Sequence, residues 1–86
     1  MDYYYIHAAT RDGDVMNWNG EKFIEYSADV EGIKQYDTME QALEACDKAA
    51  EVAREIGMQV IMIDKAEALI DRPGFEFETI MWERVE

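Results

Sequence analysis

The residue types that most often carry catalysis or bind metal ions are scarce in this chain. His7 and Cys46 are its only histidine and its only cysteine, so a zinc site of the usual Cys/His type cannot be built within one chain. Cys46 lies among alanines in a helical pattern, which indicates a small core residue rather than a nucleophile, and one cysteine excludes an intrachain disulfide. We therefore expect no metal, no cofactor and no enzymatic activity.

Carboxylates are the chemical group that recurs in a regular pattern. Five of them follow one another along a predicted helix at spacings of four, three, four and four residues, which places them on one helical face. This acidic stripe would be about 22 Å long, with roughly 5–6 Å between successive carboxylates, which approaches the spacing of phosphates along a nucleic-acid strand. A protein groove that tracks a nucleic-acid backbone with Lys and Arg could accept it, although the plain alternative is the solvated face of an amphipathic helix. The acidic stripe consists of Glu40, Glu44, Asp47, Glu51 and Glu55.

The whole chain shares this negative charge. Its 86 residues include 20 Asp and Glu against 8 Lys and Arg, which gives a formal net charge of −12. Such a field attracts cationic partners and repels nucleic acid and anionic lipid, so we expect neither nucleic acid nor a membrane as a direct ligand. No apolar run approaches the ~20 residues that span a bilayer, and the N-terminus lacks the basic and apolar regions of a signal peptide. We expect a cytoplasmic protein.

A single domain over residues 1–86, of the α+β class, must position these groups. Asp12-Gly13 and Asn19-Gly20 are strong hairpin signals between β-rich runs, and they predict a three-stranded N-terminal meander. Two-residue turns at both places would pair Ala8 with Asn17 and Met16 with Phe23. A short edge segment is predicted near residues 33–36. In the predicted register His7 and Met16 share one face of the sheet with an aromatic set, Tyr3, Tyr5, Trp18 and Phe23, and His7 lies beside Trp18.

One long amphipathic helix should cover one face of the antiparallel sheet. Thr38 supplies an N-cap and Gly57 a left-handed C-cap, so the helix should run between them. The apolar run 58–63 predicts a buried strand, residues 66–70 a short helical turn, and residues 75–82 a last strand. The apolar side of the helix consists of Met39, Ala42, Leu43, Cys46, Ala49, Ala50, Ala53 and Ile56.

Both faces of the predicted sheet are apolar, and one long helix cannot cover them both. The aromatic set would then stay partly open, and interface cores favour aromatic residues. One alternative function is therefore an accessory or scaffold domain that forms a homodimer or docks a partner through Tyr3, Tyr5, Trp18 and Phe23. The plain alternative is that segment 64–74 folds back over this face. A third hypothesis, a small enzyme or ligand-binding domain, would require a deep cleft around His7.

In size, acidity and lack of a catalytic motif, the chain resembles the small inhibitors that phages and mobile elements use against bacterial nucleic-acid enzymes. These are anti-CRISPR proteins, antirestriction proteins and the uracil-DNA glycosylase inhibitor. The resemblance covers the whole chain as composition and rests on no motif. It implies a DNA-mimic mechanism, in which carboxylates occupy the Lys/Arg channel of a nucleic-acid-binding protein. The leading hypothesis is a non-enzymatic inhibitor that presents the acidic stripe to such a channel.

Overall fold

The structure is a computed structural model that describes residues 2–25, 32–68 and 75–86. Its elements in chain order are β1 (Asp2–Ala9), β2 (Val15–Trp18), β3 (Phe23–Glu25), α1 (Met39–Glu55), β4 (Val60–Ala68) and β5 (Phe75–Arg84). The five strands form one antiparallel sheet in the order β3-β2-β1-β4-β5. The predicted α+β class, with a three-stranded N-terminal meander and two C-terminal strands, is therefore confirmed.

The first hairpin has one loop residue more than the sequence predicts. The N–H of Thr10 donates to the C=O of Asp14 at 2.9 Å, and the N–H of Gly13 donates to the C=O of Thr10 at 3.1 Å. Gly13 has a φ of +92°, a left-handed conformation that glycine adopts without a steric penalty. The loop is thus a tight turn followed by a left-handed glycine, which is the usual form of a three-residue hairpin loop.

The longer loop changes which side chains β2 presents to each face. Ala8 pairs with Met16 instead of Asn17, and a one-residue shift in register turns every side chain to the opposite face. Trp18 therefore lies on the same face as Ala8. In the second hairpin Phe23 pairs with Trp18 instead of Met16. This shift of two residues leaves the predicted face of Phe23 relative to Trp18 unchanged.

The helix α1 begins and ends where the sequence predicts. Thr38 Oγ1 accepts a hydrogen bond from the Gln41 N–H at 3.2 Å, and Gln41 Oε1 accepts one from the Asp37 N–H at 3.1 Å. Gly57, with a φ of +85°, follows its last turn in the conformation that ends many helices. Small side chains dominate its buried side and let the helix lie close to the sheet: Ala42, Cys46, Ala49, Ala50 and Ala53.

The core lies between α1 and one face of the sheet. Ile6 from β1 and Ile61 and Ile63 from β4 are fully buried, and burial of such a side chain contributes about 1.5–3 kcal/mol. Leu43 and Ile56 were predicted on the apolar side of the helix, but the structure leaves both side chains exposed. They are 44% and 48% exposed, so they lie at the margins of the core.

The strand β4 is longer than the apolar run that predicts it. It continues through Ala68, so the predicted helical turn over 66–70 is wrong for its described residues. β4 pairs with β1 on one edge and with β5 on the other, and hydrogen bonding on both edges outweighs the weak tendency of a single turn to form a helix. Residues 69–74 lie outside the described part of the chain. Near the predicted edge segment, Tyr36 forms an antiparallel bridge with Tyr4.

Candidate functional site

All five members of the acidic stripe are exposed along α1. The buried alanines occupy the opposite side of the helix, so the stripe faces away from the sheet. The ion pairs that the structure shows among the described side chains join Arg11 to Glu86 and Lys65 to Asp2. Within the described part of the chain, the stripe therefore presents its carboxylates to solvent without an ion-pair partner.

A further exposed carboxylate, Glu83, lies on the sheet face toward α1, where it pairs with Ile61. Burial, followed by the nearby charges of Glu83 and Asp47, raises the pKa of Cys46 to about 11. Arg54 Nε also donates to the Val85 C=O at 2.8 Å, which ties the last turn of α1 to the end of β5. We call the acidic stripe together with Glu83 the acidic surface.

Two members of the predicted aromatic set belong to the core. Trp18 and Phe23 are only 1% and 6% exposed, their ring centroids lie 5.0 Å apart, and Trp18 Nε1 donates to Tyr36 Oη at 3.2 Å. The prediction that they form an open interface is wrong, because the longer first loop turns them toward α1. Tyr3 and Tyr5 lie on the opposite face, half-buried, with ring centroids 6.1 Å apart.

Sequence reasoning missed a polar cluster on the face opposite α1, and Asp64 is its centre. Asp64 is 6% exposed and accepts hydrogen bonds from Tyr5 Oη at 3.0 Å and Thr79 Oγ1 at 2.7 Å. His7 Nδ1 lies 3.2 Å from the same carboxylate. The cluster joins β1, β4 and β5. No signal in the sequence marks it, because Asp64 directly follows the apolar run 58–63, at the point where the predicted buried strand ends.

The environment of His7 favours the neutral imidazole. Burial lowers the pKa of His7 below its ordinary value, although the Asp64 carboxylate acts in the opposite direction. His7 pairs with Asn17 on one side and with Met62 on the other, so its predicted place beside Trp18 is wrong. The His7 side chain is 14% exposed. The Thr79 hydroxyl donates its hydrogen bond to Asp64. The cluster thus connects β1, β4 and β5 through the Asp64 carboxylate.

An open groove of about 570 Å³ separates α1 from the segment around Tyr36. Lys34 and Lys48 line it together with Gln41 and Glu44, and Lys34 Nζ lies 5.8 Å from the centre of the Tyr36 ring. Charges of both signs meet there. The groove therefore gives no strong preference for a cationic or an anionic ligand, and it interrupts the acidic surface on this side of the helix.

Comparisons with protein-family models, with characterised proteins and with solved structures found no match. Among the described residues, no group of three or more His, Cys, Asp or Glu side chains could hold a metal ion. The helix that the structure describes falls short of the length and apolar character needed to cross a membrane.

Proposed function

We propose that the protein is a non-enzymatic inhibitor that binds the basic channel of a nucleic-acid-binding protein in place of the nucleic acid. The observation that carries this proposal is the exposure of all five stripe carboxylates on one side of α1, away from the sheet. Their expected site of action is the cytoplasm of a bacterial host, where such partners are abundant.

The charge of the protein supports this choice of partner. A net charge of −12 on a small domain attracts cationic surfaces and accelerates their encounter. A row of carboxylates separated by roughly 5–6 Å matches a groove in which Lys and Arg side chains contact successive phosphates. Like charges at i and i+4, such as Glu51 and Glu55, cost the free helix a few tenths of a kcal/mol per pair. A cationic partner would relieve that repulsion.

The polar cluster around Asp64 supports a role without catalysis. The Asp64 carboxylate accepts hydrogen bonds from Tyr5 and Thr79 and lies 3.2 Å from His7 Nδ1. A general base must be able to reach a proton on the substrate. The five stripe carboxylates on α1 are exposed, so they could bind a partner without reorganisation.

The test is capture of bacterial proteins on the immobilised full chain at low ionic strength, followed by elution with a salt gradient. A variant with Glu44, Asp47 and Glu51 changed to Lys should lose the captured proteins. The matched control changes Asp12, Asp14 and Glu21 to Lys, since these three are exposed on the hairpin loops. Both variants gain the same charge, so only a partner specific for the acidic surface distinguishes them.

The proposal expects the captured protein to bind nucleic acid and to be released at moderate salt, because surface charge pairs are screened. Equal losses in the two variants would show that only net charge matters. Capture that resists both salt and the helix substitutions would contradict the proposal.

A further inference from the structure

The strand β5 forms one edge of the sheet and offers a place for another strand. It is ten residues long, from Phe75 to Arg84, and no strand of the described chain pairs with its outer side. The opposite edge is β3, which has only three residues. An edge with free N–H and C=O groups is a template for an added strand, and native proteins usually shorten or cover such an edge.

The two faces of β5 present different side chains. Trp82 pairs with Met62, on the face opposite α1, and is 64% exposed. Glu83 pairs with the buried Ile61, on the face toward α1, and Glu78 pairs with Lys65. Both glutamates are exposed. An added strand would therefore meet carboxylates on one face and a large aromatic ring on the other.

These neighbours specify the chemistry of the occupant. The register shift of the β4–β5 pair between Ile63 and Asp64 places Glu78 and Glu83 on one face. Side chains of a strand alternate between faces, so every second residue of an added strand would lie on the face of these two carboxylates. A Lys or Arg at the alternate positions can also lie against Trp82, since cations and their aliphatic stems bind aromatic faces. A second copy of this chain would bring another net charge of −12 to the same edge, so like-charge repulsion opposes that occupant.

The geometry points to β5 as the docking edge for an extended, Lys- or Arg-rich segment of the partner, which joins the sheet as a sixth strand. This inference rests on the proposed function, because the charge of the partner is taken from it. It adds the element of the partner that is bound and the mode of binding, namely backbone pairing along β5 beside Glu78 and Glu83.

The backbone of β5 identifies the groups that should bind. The N–H of Val85 donates to the Gln59 C=O, which directs it toward the start of β4. Because successive residues of a strand direct their N–H groups to opposite sides, the N–H groups of Trp82 and Arg84 are directed to the outer edge. Arg84→Pro removes one of these donors. Arg84→Ala is its matched control, since it loses the same charge and keeps the N–H.

The experiment measures the affinity of the full chain for two labelled ten-residue peptides by fluorescence anisotropy. One alternates Lys and Thr, and the other has the same composition with all Lys residues at one end. Strand addition predicts that the alternating peptide binds at least about fivefold tighter, and that Arg84→Pro weakens it about fivefold relative to Arg84→Ala. It also predicts slower hydrogen exchange of the Trp82 and Arg84 amides in the complex.

Equal affinity for the two peptides in the unsubstituted chain would overturn the inference, and this comparison needs no variant that could misfold. A salt-resistant homodimer that Arg84→Pro dissociates would also overturn it, because the edge would then be occupied by a second copy. The helix variant with Lys at positions 44, 47 and 51 separates the two proposals. If it loses captured partners while the two peptides bind the unsubstituted chain equally, the proposed function stands and strand addition fails.

Discussion

Removal of the Asp64 carboxylate should destabilise the protein strongly, although Asp64 lies on the face opposite the main core. Asp64→Ala removes the acceptor of two hydrogen bonds, from Tyr5 Oη and Thr79 Oγ1, and the carboxylate that lies 3.2 Å from His7 Nδ1. Hydrogen bonds to a charged group contribute about 1.5–3 kcal/mol each. Thr79 is exposed, so water can replace most of its bond, and the part-buried Tyr5 bond gives an expected loss of about 2–3 kcal/mol.

That loss is large for a domain of this size, whose free energy of unfolding should be roughly 4–13 kcal/mol. Urea unfolding followed by circular dichroism and tryptophan fluorescence measures it, and an unchanged dependence on urea concentration would show that the unfolded state is the same. Asp64→Asn, which retains one acceptor oxygen, should lose about half as much. The exposed Asp14→Ala is the control and should change stability by less than about 0.5 kcal/mol.

The effects of substitutions within this cluster on the free energy of unfolding should be coupled. Thr79→Val alone should cost about 1 kcal/mol, and its effect should largely disappear in the Asp64→Ala background because the partner is already absent. An Asp64→Ala variant within about 1 kcal/mol of the unsubstituted protein would refute the assignment of the cluster as the anchor of the three strands.

Three further predictions concern His7, the alanine face of α1 and Cys46. Because burial lowers the pKa of His7, the neutral ring contributes stability above its ordinary pKa near 6.5, and this contribution is lost as pH falls through the lowered value. Thermal melts at pH 8 and at pH 5 measure this loss. Between these two pH values, the melting temperature of His7→Asn should fall less than that of the unsubstituted protein. Ala49→Leu places a large side chain at a fully buried position and should lower the free energy of unfolding in urea by about 1–3 kcal/mol. Lys48→Leu, at an exposed position, is the control and should lower it far less. Equal effects of the two substitutions would contradict close packing of the helix on the sheet. The pKa of Cys46 is about 11, against an ordinary value of 9.0. Cys46 should therefore react with iodoacetamide at least about 100-fold more slowly in the native protein than in urea. Comparable rates would contradict its burial.

Local signals were sufficient to predict α1 because its ends are defined by residues within the helix and next to it. The Thr38 cap and the left-handed Gly57 depend on few distant contacts, and both are present. The antiparallel sheet could likewise be predicted from the apolar runs and turn signals. The acidic stripe was placed correctly on the exposed side of the helix, since its position depends only on the helical period.

The details of the sheet could not be predicted because they depend on one residue in a loop. Asp12-Gly13 is compatible with both a two-residue and a three-residue loop, and the choice reverses the face of Trp18. Asp64 was missed for a different reason. Its three partners come from β1 and β5, so the cluster exists only after distant strands pair, and Asp64 itself resembles the first residue of a connection.

The central claim is that the acidic surface occupies the same site on its partner as nucleic acid. The most direct measurement is displacement of a labelled DNA duplex from the captured partner by increasing amounts of the protein, at several salt concentrations. The proposal predicts complete competitive displacement that weakens as salt rises, and none by the variant with Lys at positions 44, 47 and 51. Formation of a ternary complex, in which the partner holds DNA and this protein at the same time, would contradict it.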